Sequence, residues 1–342
     1  MNYKRKGTTI YDIARAAQVS PTTVSRVLSD TTYPVSEELR SRVISVANTL
    51  HYTPKGKLRP TERDVVVMVP NLSNLFYTTL ISGMEASLRM FGLNMLLMNT
   101  RADIGLERQL IAELCSRSSV RLIIAPVLDE LEHLQQLIRA ATPMVVIEQP
   151  AVGNCSTICA NHFHGSSMSI HHLYERGMRR IAFLGMPLTR CSRTEVYNGY
   201  CSALNELSLP VEQGLIFLAD GAPSVDDDAF PFFMGMSLLD RLLESCSPLP
   251  DAIYCSNDML AIGVLRRLQE RGIRVPQEIS VMGMDNIMFS SVSYPPLTTV
   301  DPCTYEVGRI AAETLYAQLI DASRQPINIM LEPKLILRNS VR

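Results

Sequence analysis

A chain of 342 residues, 46% hydrophobic and 19% charged, is long enough for two or three domains with cores of their own. Its total charge of −2 conceals a division: residues 1–63 hold 11 Lys/Arg against 5 Asp/Glu, and the remaining 279 hold 21 against 29. No signal peptide opens the chain, no apolar run is long enough to span a membrane, and the eight cysteines include no CxxC pair. Composition therefore excludes a membrane protein and a disulfide scaffold, and it leaves a cytoplasmic protein with a basic head on an acidic body.

Residues 1–8 read as a basic arm. Thr9–Leu28, TIYDIARAAQVSPTTVSRVL, then reads as two short helices joined by a tight turn. Thr9 caps the first, with Asp12 three residues on, where a carboxylate reaches back to the free amides. Ile10, Ile13, Ala14 and Ala17 fall on one face. Ser20 caps the second helix and Pro21 takes its first position, where the missing N–H costs nothing. Val24, Val27 and Leu28 face inward, leaving Thr22, Thr23, Ser25 and Arg26 outside. Short hydroxyls at a helix N-terminus allow close approach to DNA, and an arginine one turn later can bind guanine through two hydrogen bonds. An ordinary helical hairpin with a solvated polar face is the alternative at this point. Ser36 caps a third helix whose stripe runs Leu39, Val43, Val46, Ala47, Leu50, closing a three-helix core.

Lys55–Asp64 is a polar, basic linker. From Val65 onward short apolar runs alternate with helices: VVVMVP (65–70), NMLLMN (94–99), RLIIAP (121–126), MVVIEQ (144–149), IAFLGM (181–186), LIFLAD (215–220), AIYCSN (252–257) and ISVMGM (279–284). Continuous apolar strands alternating with helices imply parallel sheets covered on both faces, and two such sheets imply two lobes with a ligand cleft at the strand ends. Residues 222–234, APSVDDDAFPFFM, look like an insertion, either a lid over the cleft or a solvated loop with a small apolar anchor.

TIYDIARAAQVSPTTVSRVL resembles the DNA-binding headpiece of the LacI/GalR family of bacterial regulators. VPNLSNLFY, ERGMRRIAFLG, SNDMLAIGVL, RVPQEISVMGMDN, YPPLTTVDP and KLILRNSV resemble that family's effector domain, so the likeness covers nearly the whole chain. It implies an all-α helix–turn–helix headpiece over 1–54, a linker over 55–64, and an α/β periplasmic-binding-protein-like domain of two doubly wound parallel-sheet lobes over 65–342. The first lobe would comprise about 65–160 and 298–325, the second 161–297 and 326–342, with crossings near 160, near 290–298 and near 325. The implied function is a sequence-specific transcriptional regulator, a repressor acting as a homodimer on a double-stranded, approximately palindromic DNA operator under control of a small-molecule effector, with no membrane partner. A regulator controlled by a partner protein, or a cytoplasmic small-molecule binding protein, is the rival reading.

For DNA the resemblance points to Thr9, Tyr11, Ser20, Pro21, Thr22, Thr23, Ser25 and Arg26. In the family the linker forms a hinge helix whose leucines wedge into the minor groove. Here Gly56 and Pro60 weaken a helix, Thr61 stands where the wedge leucine belongs, and Leu58 with Arg59 remains either a wedge or part of a plain tether. For the effector it points to Phe76, Tyr77, Glu148, Asn161, Arg190, Asn257 and Asp285. For Asp258 a helix cap is the expectation instead. Phe76 and Tyr77 either stack on a ligand ring or pack. Two departures count against a simple hexose: the family's Arg-x-x-Gly reads Val196-Tyr197-Asn198-Gly199, and its Asp-Asn reads Ala160-Asn161. Arg190 or Arg193 can compensate for a charged ligand. His162-x-His164 with Cys159, and His171-His172, match no defined zinc spacing, so no metal is expected. No Ser–His–Asp set, P-loop or dinucleotide fingerprint stands out, so neither an enzyme active site nor a cofactor is expected.

Overall fold

The computed structural model describes residues 9–29, 35–49, 63–117, 119–220 and 230–342, in two units, Met1–Thr61 and Glu62–Arg342. The first unit holds α1 (Ile10–Ala17), α2 (Pro21–Ser29) and α3 (Glu37–Thr49). Asp12 accepts hydrogen bonds from the Thr9 amide at 2.8 Å and the Thr9 hydroxyl at 2.7 Å, which fixes the start of α1. Gln18 ends it in the left-handed region at φ 55°, donating to the Ala14 and Arg15 carbonyls. Ser20 Oγ accepts from the Thr23 amide at 3.0 Å and opens α2. Ser36 Oγ does the same for α3, from Leu39 at 3.3 Å. Ile13, Ala14, Ala17, Val24, Val27, Val43 and Ala47 form the buried centre that the three amphipathic patterns share.

The second unit opens with β1 (Asp64–Val69), α4 (Leu75–Met90), β2 (Asn94–Asn99), α5 (Ile104–Cys115), β3 (Leu122–Ile124), α6 (Gln135–Arg139), β4 (Met144–Ile147) and β5 (Ser156–Ala160). The chain then builds a second lobe from α7 (His162–Glu175), β6 (Ile181–Gly185), α8 (Cys191–Glu206), β7 (Ile216–Leu218), α9 (Phe230–Ser245), β8 (Ala252–Cys255), α10 (Asp258–Glu270), β9 (Ser280–Met282), α11 (Met288–Val292) and β10 (Thr299–Asp301). It ends with α12 (Thr304–Ile320), β11 (Asn328–Leu331) and β12 (Lys334–Ile336). The first sheet runs β11-β5-β4-β3-β1-β2 and the second β7-β6-β8-β9, every pairing in both being parallel. β1, β4, β6 and β8 are buried along their whole length, as helices on both faces require.

The crossings differ from the sequence expectation in two places. The chain leaves the second lobe after Asp301 rather than near 290–298, because β10 pairs with β12 and Thr298 and Val300 accept from the Gly283 and Asp285 amides. It leaves the first lobe after Leu331 rather than near 325, because β11 adds to the free edge of β5, with Asn328 opposite Thr157. Between these crossings α12 lies on α4. Gly83 and Gly308 let the two backbones touch: a Cβ on Gly83 would lie 2.1 Å from the Tyr305 carbonyl, and one on Gly308 2.1 Å from that of Leu80. Among the described residues no helix is long and apolar enough to cross a membrane.

Candidate DNA-binding face and effector cleft

Capping decides what α2 presents. Ser20 and Thr23 share a 2.8 Å hydroxyl–hydroxyl hydrogen bond at its start. Thr22, Ser25 and Arg26 are exposed on the face opposite Val24 and Val27, which are buried. Tyr11, 70% exposed, stands on α1, while Thr9 and Pro21 are half-buried at the two helix starts. A helix start carrying hydroxyls, followed one turn later by an exposed arginine, has the size and chemistry for the major groove. Leu58 and Arg59 lie outside the described residues.

In the second unit a cavity of about 290 Å³ is lined by the segments following β1, β4, β6, β8 and β9, at the carboxyl ends of the strands. Six of the seven residues expected there line it: Phe76, Tyr77, Glu148, Arg190, Asn257 and Asp285. Asn161 is not among them. Its side chain caps α7, accepting from the His164 amide at 3.0 Å, and it donates to Glu332 at 3.2 Å. Asn257 also caps, accepting from the Leu260 amide at 2.9 Å, so the capping role expected for Asp258 falls to its neighbour. Asp258 lies fully buried behind the cavity, accepting from Thr299 Oγ1 at 2.6 Å and the Ile287 amide at 3.0 Å, and so pins the segment that carries Asp285. Burial pushes Asp258 from 3.8 up to about 7, against the lowering effect of those hydrogen bonds. Asp285 itself sits at φ 115°, a costly backbone for a non-glycine residue. Its carboxyl is held well above the ordinary range by burial and by the charges of Asp258, Glu148 and Asp301.

Bonds cross directly between the lobes around this cavity. Arg190, before α8, donates to Tyr77 Oη at 2.7 Å and the Pro126 carbonyl at 3.1 Å. The Cys191 amide donates to Asp129 at 2.5 Å, and Gln149 braces that carboxylate from 2.8 Å. Glu148 and His162 face each other at 2.5 Å with both side chains buried. Burial alone would lower His162, but the charge and hydrogen bond of Glu148 outweigh it and hold the imidazole above its ordinary value. Burial likewise opposes the charge on Arg190, and Tyr77, Glu148 and Asp129 together restore it. At Arg193 burial and then Arg190 bring the value down to about 10, and the same Tyr77 and Asp129 charges act but do not outweigh them.

Sequence reasoning weighed His162 only as a metal ligand. Its other signal was position, two residues past the end of β5, where a parallel strand delivers side chains to the cleft. Asp129 and Gln149 were missed altogether, although both follow strands in the same way. His164, His171 and Cys159 have their own partners: His164 faces Glu332 at 2.5 Å, His171 Nδ1 lies 2.9 Å from the Ser167 carbonyl, and Cys159 Sγ lies 3.8 Å from that of Ile329, while His172 is buried on α7. Among the described residues no three metal-binding side chains gather.

Residues 9–55 match the model for bacterial regulatory proteins of the lacI family, and residues 170–341 match the periplasmic binding protein-like domain. The HTH-type transcriptional repressor PurR of Vibrio atlanticus (strain LGP32) is 31% identical over 98% of both chains. The chain belongs to the lacI family. Among solved structures, this lacI-family chain is similar to the transcription regulator GntR of Chromobacterium violaceum, with 32% identity, 81% of this chain and 99% of that one covered, and a TM-score of 0.71. It is also similar to a LacI family transcriptional regulator of Enterococcus faecium with bound ribose, with 25% identity, 81% and 98% covered, and a TM-score of 0.71. The α1–α2 pair is thus the helix–turn–helix of a DNA-binding transcriptional regulator.

Proposed function

We propose that this lacI-family regulator is a repressor that works in the bacterial cytoplasm as a homodimer, gripping an approximately palindromic operator with two headpieces. Thr22, Thr23, Ser25 and Arg26 read base edges, while Thr9, Tyr11, Ser20 and Pro21 hold register on the backbone. A small molecule in the cleft sets operator affinity. Leu58 and Arg59, on the segment joining the two units, complete the DNA contacts. The observation that carries the reading is Arg190. It lines the cavity, yet it is also the side chain that ties the second lobe to Tyr77 and Pro126 of the first. A ligand that meets Arg190 must strengthen or replace those bonds, so occupancy and lobe angle are linked. The ribose-bound Enterococcus relative supports a small molecule as the controlling partner.

The test is operator binding by fluorescence anisotropy with and without compounds that raise the melting temperature in a screen of sugars, sugar phosphates, nucleobases and amino acids. A cleft ligand is expected to change operator affinity by roughly 5–150-fold, the usual coupling between two sites. Arg190→Met should retain DNA binding and lose most of that response. Saturating the cleft with no change in operator affinity would overturn the reading.

A further inference from the structure

The cavity gathers charged side chains of both signs, and two of their buried polar atoms, Glu148 Oε1 and Arg190 Nε, have no hydrogen-bond partner. Arg193 donates through Nη1 to the Pro187 carbonyl at 3.2 Å and to Thr189 Oγ1 at 3.5 Å, but among the described residues it has no ion pair. Arg190 is satisfied by a phenol and a carbonyl, and its Nε is buried without a partner. Glu148 is only 6% exposed. One of its oxygens meets His162, and the other, Oε1, is buried with no partner. Asp285, which also lines the cavity, forms no ion pair among the described residues. Uncompensated charge in a half-buried site is costly unless something arrives to match it. A neutral polyol supplies hydrogen bonds and leaves both signs unmatched. A simple anion matches the guanidiniums but is repelled by Glu148 and Asp285, and a simple cation faces the reverse problem.

We propose that the cleft takes a small zwitterion, with a cationic nitrogen seated between Asp285 and the unpartnered Glu148 Oε1 and an anionic group seated on Arg193 beside Arg190. This rests on the cleft being the effector site, and it names the chemical class of the effector. The strained backbone at Asp285 holds its carboxyl in the lining, and burial, followed by the charges of Asp258, Glu148 and Asp301, holds that carboxyl above its ordinary range, so a cation seated beside it favours its ionisation. A charge-assisted hydrogen bond exceeds a neutral one by enough to give about tenfold in affinity.

The experiment uses the full chain and four compounds that share a six-carbon polyhydroxyl skeleton: glucosaminate (zwitterion), gluconate (anion), glucosamine (cation) and glucose. A ladder of ω-amino acids from three to six carbons, with their amine and acid counterparts, varies the charge separation. Binding is read by thermal shift and calorimetry. At least one zwitterion is expected to bind about tenfold or more tightly than each of its singly charged or neutral counterparts. Asp285→Asn and Arg193→Gln should each erase that preference, with Glu148→Gln as the second acidic variant if Asp285→Asn does not fold. No zwitterion of either set binding more tightly than its singly charged and neutral counterparts, or a preference that survives the variants, would overturn the proposal. Operator affinity is measured on the same samples. A neutral sugar that binds and shifts it would remove the zwitterion and leave the effector cleft standing, whereas a ligand that fills the cleft without shifting it would remove the effector reading.

Discussion

Asp258→Asn tests how the wall of the cleft is built. Asp258 is fully buried, and its carboxyl is pushed from 3.8 to about 7. A folded-state value raised above the unfolded one means that the fold binds the proton more tightly than the unfolded chain does. Stability from this group is therefore complete below pH 3.8 and is lost as pH rises through about 7. Between pH 5.5 and full ionisation the fold loses about 1.5 pH units of linkage, or about 2 kcal/mol at 1.36 kcal/mol per unit. Asparagine cannot ionise. It fits the same site, with its carbonyl towards the Ile287 amide and its amide towards Thr299, whose hydroxyl can turn to accept. Urea unfolding of wild type and variant at pH 5.5 and 8.5 measures the difference. Circular dichroism is the probe, because the chain has no tryptophan. The variant should gain about 2 kcal/mol on wild type across that range. Parallel pH profiles would show that Asp258 ionises without cost and would refute the account of the wall.

Other substitutions follow from single contacts. Ser20→Ala removes the acceptor for the Thr23 amide, and the headpiece should lose about 1 kcal/mol in a thermal melt, with a matching loss of DNA affinity. Arg26→Ala should cost about 1–3 kcal/mol on the preferred site and relax discrimination at one base pair, read by competition between single-base operator variants. Gly308→Ala places a methyl 2.1 Å from the Leu80 carbonyl, so α12 must move off α4. A loss of about 1–3 kcal/mol or more is expected in urea unfolding, and a neutral result would mean that the helices already have room.

Much of this was legible because period and hydrophobicity are local properties. VVVMV and AIYC are continuous apolar runs and became fully buried parallel strands. Thr9 with Asp12, and Ser20 before Pro21, signal helix starts that the hydrogen bonds realise. What failed depended on distant partners. β5 reads STICA, a polar-looking strand whose Ser156 and Thr157 hydroxyls bond Gln318 and Asn328 from the far end of the chain. β11, NIML, is a half-exposed edge strand whose apolar run is only three residues long, so the last crossing was set too early. At Asn257-Asp258 the capping role expected of Asp258 falls to Asn257, which also lines the cavity, because Asp258 is buried against Thr299 and a loop nearly thirty residues away. Asn161 has the chemistry of a ligand contact and is instead engaged with α7 and Glu332. Local pattern placed the cleft, while tertiary context decided which polar groups face it.

The central claim is sequence-specific binding of DNA by the α1–α2 pair. Genomic fragments captured by the purified protein at moderate salt, then sequenced, test it most directly. Enrichment of a short inverted repeat that Arg26→Ala no longer selects is the expected result. Capture of fragments sharing no sequence, by wild type and variant alike and lost together as salt rises, would reduce the interaction to non-specific phosphate contact and contradict the account.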